Sequence, residues 1–281
     1  MASDPKVWLI TGASRGLGRD LARAAPDRGE SVGATSRDGQ LDLDPGAGTL
    51  HALALDLTRP GGEEAVVAQA HGLHGRLDVL VNNAGAGLLG AVEEADDAEV
   101  DRVFAINFFG PLRLIRAALP FLRAAGSGHI VNVSSIAGFA PMAGSGLYAA
   151  AKFALEGMSE CLAQEVNPHG IRVTVVEPGA FRTDFLSGAS IAHTARTIDA
   201  YAGTSGQVVD RLRVMDGRQL GDPTKGAAAI IAAVDAAEPP LHLILGSDAL
   251  KRARDQVAKL AATFDRWEAT SLGTDFPPEA R

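Results

Sequence analysis

The chain carries a single cysteine, Cys161, which excludes an intrachain disulfide framework and makes a reducing cytoplasm the expected compartment. Its helix-periodic apolar neighbours lead us to expect a small buried hydrophobe rather than a nucleophile. Long apolar runs are missing as well. The run preceding TGASRG near the N-terminus is too short for a signal segment or a membrane span, and no later stretch approaches the roughly 18 residues needed to cross a bilayer. Cations are outnumbered, 26 Lys and Arg against 34 Asp and Glu, for a formal charge of -8. With a pI near 5.4, the chain is not expected to take nucleic acid or an anionic membrane as its main partner, because either would require a basic surface. Repeats, low-complexity blocks and interdomain linkers are absent from the sequence, and no metal site is expected.

What is present is the composition of an ordinary soluble globular protein, 46% hydrophobic and 21% charged over 281 residues, long enough to bury a sizeable core. Short β-rich runs alternate with helical patterns. Strands are expected at 6–10, 31–35, 50–55, 77–81, 129–133, 171–176 and 241–245, and helices at 19–25, 61–71, 96–125, 146–166, 223–237 and 248–267. Such alternation implies a single α/β domain, residues 1–281, on a doubly wound parallel sheet with helices on both faces. Pro111 should bend the 96–125 helix, since it has no N–H and its ring opposes the carbonyl of Asn107. Residues 181–221 are weakly periodic and long for a connection, which suggests a substrate lid. Residues 247–281 form a C-terminal extension.

Polar residues and glycines collect at the strand ends. TGASRGLG at 11–18 follows the first strand, with Gly12, Gly16 and Gly18 where glycine lets the backbone turn tightly and approach a phosphate at a helix N-terminus. Its GxxxGxG spacing differs from the GxGxxG fingerprint. Ser36 and Arg37 close the second strand, where a dinucleotide-binding fold meets the adenosine ribose; an acid there selects NAD and an arginine accommodates the 2'-phosphate of NADP. Arg15 can approach the same place, and guanidinium groups match phosphate through paired hydrogen bonds, which favours NADP(H). Asp38 keeps NAD(H) open. Asp56 after the third strand suits an adenine amine or a turn, and Asn82, Asn83, Ala84 and Gly85 after the fourth suit turn chemistry or a nucleotide wall.

The densest stretch is GHIVNVSSIAGFAPMAGSGLYAAAK at 128–152. It reads as a strand ending in Ser134 and Ser135, a Gly/Pro-rich loop, and a helix carrying Tyr148 and Lys152 on one face. A phenol with a pKa of about 10 is a poor base at neutral pH, and a nearby ammonium lowers that value. Lys152 can supply the cation. A serine hydroxyl at the strand end, Ser135, can donate to a substrate oxygen.

In this order the motifs resemble the short-chain dehydrogenase/reductase family: TGASRGLG at 11–18, Asp56, NNAG at 82–85, Asn107, Ser135, YAAAK at 148–152 and PGAFRT at 178–183. The similarity spans about residues 6–245. The resemblance implies a seven-stranded Rossmann-type sheet, with Tyr148 as general acid in ketone reduction and general base in alcohol oxidation. It implies that Ser135, rather than Ser134, orients the substrate oxygen, that Lys152 binds the nicotinamide ribose and lowers the tyrosine pKa, and that Asn107 holds a relay water. Cofactor contacts are implied at Gly12, Ser14, Arg15, Gly16, Leu17 and Gly18; at Ser36, Arg37, Asp56 and Leu57; at Asn83, Ala84 and Gly85; and at Pro178, Gly179, Phe181 and Thr183. Arg15 and Arg37 match members that prefer NADP(H) over NAD(H).

Family members often form dimers or tetramers through the two long central helices. The C-terminal extension looks like the subgroup of hydroxysteroid and retinol dehydrogenases, which implies a bulky apolar ketone or alcohol near Phe139, Met142, Phe181, Phe185, Leu186 and Tyr201. Related sequences reduce polyketide-like ketones too. Two other readings are a non-redox epimerase or dehydratase using bound cofactor, and a nucleotide-sensing protein that has lost the reaction. The intact Ser135, Tyr148 and Lys152 speak against the sensor.

Overall fold

Runs rich in Val, Ile, Leu and Ala are buried along both faces of a central parallel sheet, as expected where helices cover both sides. In the computed structural model, which describes residues 5–186 and 190–276, the strands are β1 (Val7–Ile10), β2 (Ser31–Ser36), β3 (Thr49–Ala54), β4 (Val79–Asn82), β5 (Gly128–Val133), β6 (Ile171–Pro178) and β7 (His242–Leu245). Residues 187–189 of the expected lid and 277–281 of the expected extension lie outside the described residues. The strand order is β3-β2-β1-β4-β5-β6-β7, with every neighbouring pair parallel. The winding direction therefore reverses between β1 and β4, which opens a crevice at their carboxyl ends.

The helices are α1 (Gly16–Ala24), α2 (Glu63–Gly72), α3 (Asp97–Phe104), α4 (Gly110–Ala125), α5 (Gly146–Val166), α6 (Gln207–Met215), α7 (Pro223–Asp235) and α8 (Ser247–Leu272). Side chains alternate across each strand. Trp8 and Ile10 join Leu21 and Ile230 under α1 and α7, whereas Leu9 joins Leu80, Leu114 and Leu122 under α2, α4 and α5. These two cores hold the sheet, and with it every strand end, in a fixed plane.

The expected 96–125 helix runs unbroken from Asp97 to Ala125, with an irregularity in its middle. Asp96 caps α3 by accepting from the Glu99 amide at 2.8 Å while the Glu99 carboxylate accepts from the Asp96 amide at 3.0 Å. Pro111 cannot donate to Asn107, and the chain widens into a π turn over Ala105–Phe109 before α4 begins. The helical run Asp97–Ala125 is long and apolar enough to cross a membrane, but Leu114, Ile115, Ala118 and Leu122 are buried against the sheet. It is a core element.

Two expectations are corrected. Cys161 is exposed, because α5 buries the stripe Leu155, Ser159, Leu162 and Val166 and position 161 falls outside it. Residues 181–186 and 190–221 hold more regular structure than their weak periodicity suggests. Ile191–His193 pairs with Gly87–Leu89 in a small parallel sheet, α6 follows, and Phe181 bridges to Gly221. Carboxylates of the Val92–Glu99 region pin the segment down: Glu99 accepts from the Ala195 amide at 2.9 Å and Glu94 from the Ile198 amide at 2.8 Å.

Candidate active site

At the end of β1, Thr11 is buried and knots two strands together. Its hydroxyl donates to the Val81 carbonyl and accepts from the amides of Asn83 and Ala84 at 3.0 and 3.1 Å. The Asn83 side-chain amide donates to the carbonyls of Thr11 and Gly12 at 2.8 and 3.1 Å. That amide fastens the glycine loop to β4. Gly12 and Gly16 take φ of 67° and 57°, and a Cβ on Gly18 would stand 2.2 Å from Asn83 Nδ2 and 2.5 Å from the Gly12 oxygen. No side chain caps the N-terminus of α1, and its first turn has no acid. Its free N–H groups and positive dipole end form a cradle that fits a pyrophosphate.

Leu17, placed in the same loop, turns its side chain into the core against Gly226, so only its backbone faces the cradle. At the adenosine end Arg37 is exposed. Asp38 is occupied by its own turn, accepting from the Gln40 amide at 3.1 Å and the Ser36 hydroxyl at 2.9 Å. Those bonds, led by the Gln40 amide, hold its pKa below the ordinary carboxylate value. Asp56 is likewise lowered, chiefly by the Thr58 hydroxyl at 2.7 Å. Leu57 is buried against Gly110 of α4.

The chemical cluster lies where β4, β5 and α5 meet. Ser135 N-caps the short turn Ile136–Gly138, and its Oγ accepts from the Ala137 amide at 3.1 Å, which leaves the hydroxyl proton free to donate elsewhere. The same hydroxyl lowers the Tyr148 pKa against the larger effect of burial, which pushes it up to about 12. The expected lowering by Lys152 is not met. Lys152 Nζ donates to the Val133 carbonyl at 2.9 Å and lies 5.9 Å from the centre of the Tyr148 ring. Burial brings the lysine's own pKa down to about 8, opposed by the charge of Glu156. A Cβ on Gly85 would fall 3.2 Å from Asn107 Oδ1 and 3.6 Å from Lys152 Nζ, so glycine there leaves these two groups facing one space.

Asn107 is fully buried and shapes the wall of that space. Its Nδ2 donates to the carbonyls of Ala86 and Val103 at 2.7 and 2.8 Å, and its Oδ1 accepts from the Ala86 amide at 3.3 Å. Behind Lys152, one turn along α5, the sequence reading missed a buried acid pair. Glu156 and Glu177 lie with His242 in one group whose ligand atoms are within 4.8 Å of one another, and His242 Nδ1 is 2.7 Å from Glu177. Burial raises both carboxyls, and the charge of Glu177 raises Glu156 further. Ser134 Oγ and Glu156 Oε1 both crowd Gly138, where a Cβ would stand 2.8 and 3.0 Å from them, and neither oxygen has a hydrogen-bond partner among the described residues. The signal was available: Glu156 is four residues past Lys152 on the same buried stripe.

The loop after β6 closes the crevice. Thr183 lies over Gly16, where a Cβ would stand 3.3 Å from the threonine Cβ, and its hydroxyl accepts from the Phe185 amide at 3.2 Å. Asp248 of α8 accepts from the Ala180 amide at 2.9 Å and crowds Gly179 so closely that a Cβ there would lie 2.3 Å from its carboxylate. Phe185 faces Tyr148, ring centres 6.1 Å apart, and with Leu186 packs on Leu89, Ile191 and Val209.

The other expected pocket residues are elsewhere. The Phe181 ring packs on Leu17, Gly221 and Gly226 beneath the sheet edge, and Phe139 packs on Ala249 and Ala253 of α8. Tyr201 donates its hydroxyl to Glu93 on the rim. The side chain of Met142 is exposed, and its carbonyl accepts from Ser145 at 3.0 Å.

Dinucleotide-dependent oxidoreductases are the class in which a phosphate cradle after the first strand shares one crevice with a serine, a buried phenol and a buried ammonium. Comparison with known proteins agrees: the chain matches the short chain dehydrogenase family over residues 6–192 and belongs to it. It is 37% identical to Oxidoreductase BOA17 of Botryotinia fuckeliana over 96% of this chain and 99% of that protein. It is 35% identical to human (Homo sapiens) Retinol dehydrogenase 8 over 86% of this chain and 82% of that protein. A solved short-chain dehydrogenase from Streptomyces avermitilis superposes with a TM-score of 0.88 at 42% identity, covering 98% of this chain and 100% of that one. A metagenomic short-chain oxidoreductase solved in complex with NADP superposes at 0.59 with 38% identity, over 63% of this chain and 83% of that one.

Proposed function

We propose that the chain is an NADP(H)-dependent carbonyl reductase acting on a bulky, apolar ketone of steroid-, retinoid- or polyketide-like character. The observation that carries the reading is the buried Tyr148 phenol with the buried Lys152 ammonium 5.9 Å from its ring centre; burial keeps that phenol protonated at neutral pH, with the Ser135 hydroxyl acting on it. A buried, protonated phenol is a general acid in waiting. NADPH, when bound, supplies the hydride for the carbonyl carbon. Tyr148 gives its proton to the carbonyl oxygen, Ser135 holds that oxygen by hydrogen bond, and the Lys152 ammonium offsets the charge left on the phenolate. The cradle at Gly12, Gly16 and Gly18 would take the pyrophosphate, and Arg37 with Arg15 the 2'-phosphate.

The apolar character of the substrate rests on Phe185, Leu186 and the segment around them, which would act as the lid, and on the likeness to a retinol dehydrogenase. A homo-oligomer in the cytoplasm is the expected setting. Purified protein should oxidise NADPH in step with loss of an apolar ketone from a panel, faster than it oxidises NADH. Product formed with no net NADPH use would overturn the reductase in favour of an epimerase or dehydratase. Tyr148→Phe should bind NADPH as the parent does and lose turnover by about 10²–10⁴-fold, the usual worth of a general acid; a parent-like rate would remove Tyr148 from that role.

A further inference from the structure

Beyond Ala253, α8 leaves the body of the protein, and from Val257 to Leu272 every residue is exposed. That free stretch is about 24 Å long at 1.5 Å per residue. A bare helix of this length is marginal in water, because most helical stability comes from packing an apolar face. The face is there. Leu250, Ala253, Val257, Leu260, Phe264 and Trp267 recur at alternating spacings of three and four, the a/d seam of a two-helix coiled coil. Phe264 and Trp267 are 66% and 57% exposed, far beyond the scattered single apolar residues of an ordinary surface.

We propose that α8 is a self-association helix that pairs antiparallel with α8 of a second copy of this chain. Charge selects the occupant and the direction. Beside the seam, Arg254 and Glu268 stand two heptads apart in equivalent positions. An antiparallel pair centred near Ala262 sets Arg254 against the partner's Glu268 and Glu268 against the partner's Arg254. The same register places Val257 across from the partner's Trp267 and Leu260 across from the partner's Phe264, small facing large in each layer. A parallel pair would stack Trp267 on its own copy and leave both charges without a mate.

The hollows along the helix suit the same register. One of about 360 Å³ opens between Phe264, Trp267, Glu268 and Ser271, the four-residue hole into which the partner's Val257 would insert as a knob. The other, about 330 Å³, lies where α8 joins the body, walled by Phe139, Ile244, Leu250 and Val257, and the partner's far end would reach it. This seam is separate from α4 and α5. It also adjoins the catalytic loops, since Asp248 holds Ala180 and Arg252 donates to the Ala140 carbonyl.

The test is the mass of the full-length protein in solution by light scattering and sedimentation. Leu260→Asp with Phe264→Asp should halve that mass while thermal melts keep the body folded. Arg254→Glu alone and Glu268→Arg alone should each weaken association by about tenfold, and the double swap should restore it to within about twofold, because exposed pairs contribute modestly and like charges repel by similar amounts. A monomeric parent, or an assembly whose mass ignores the seam substitutions, would overturn the proposal. So would a parent that stays monomeric and instead co-floats with phosphatidylcholine and phosphatidylserine vesicles, since the face would then belong to a membrane.

Discussion

Lys152 and Tyr148 are pulled in opposite directions by the same burial. The lysine is brought down to about 8 and the phenol pushed up to about 12, so near neutrality both groups carry the protons a reductase needs. Reductive turnover should therefore fall as pH rises through about 8, where Lys152 loses its charge, and a pH–rate profile would show this alkaline limb. Glu156 opposes the lowering of Lys152. Glu156→Gln should move the limb to lower pH, and an unmoved limb would leave Glu156 a purely structural residue. Stability gives a second readout with its own sign. A carboxyl raised in the folded state holds its proton where the unfolded chain has lost it, so stability declines as pH climbs from the ordinary carboxylate range through the raised value. The Gln variant should flatten that decline in thermal melts and be the more stable protein at the alkaline end. Of these residues Tyr148, Lys152 and Ser135 were legible in sequence because four-residue spacing on a helix and a polar strand end each imply a direction. Glu177 and His242 were not, since nothing local says that β6 and β7 bring them to Glu156.

The elements were legible to the extent that their signals are local. Every strand of the main sheet was expected within two residues of its observed ends, because each is a short apolar run bounded by turn residues, fully buried in the inner strands and partly exposed in the edge strands β3 and β7. Periodicity names the buried face of an element but not what covers it, so Phe139 was read toward the substrate while it packs on α8. The small sheet joining Gly87–Leu89 to Ile191–His193 escaped for a related reason: three-residue strands a hundred positions apart leave no pattern to read. The glycine loop is the element whose sequence and geometry agree most closely, and it carries a prediction. Gly18→Ala places a methyl against Asn83 Nδ2 and the Gly12 carbonyl, and neither can retreat without undoing the knot at Thr11. The variant should be destabilised by about 1–3 kcal/mol, the usual range for overpacking, and should lose dinucleotide binding by titration. Retained tight binding would mean that the cradle is not where the pyrophosphate sits.

At the scale of the whole molecule, the crevice divides the sheet into two halves, β1 to β3 with the phosphate and adenosine groups and β4 to β7 with the proton-transfer cluster. They are joined by backbone pairing of β1 with β4 and by the Thr11–Asn83 knot. A dinucleotide lying across the crevice would contact both halves and bind only the folded chain, so it must add to stability by mass action. At about 100 times its Kd the gain is about 2.7 kcal/mol, or a rise in Tm of roughly 5–10 °C for a domain of this size. NADPH should reach that rise at lower concentration than NADH, because Asp38 is occupied by Gln40 and Ser36 while Arg37 stands exposed at the end of β2. Arg37→Ala should bring the NADPH curve toward the NADH curve and leave the ligand-free Tm in place, as expected for an exposed side chain. Equal loss with both cofactors would show that Arg37 reads something common to them, and the 2'-phosphate preference would then have to come from another part of the crevice.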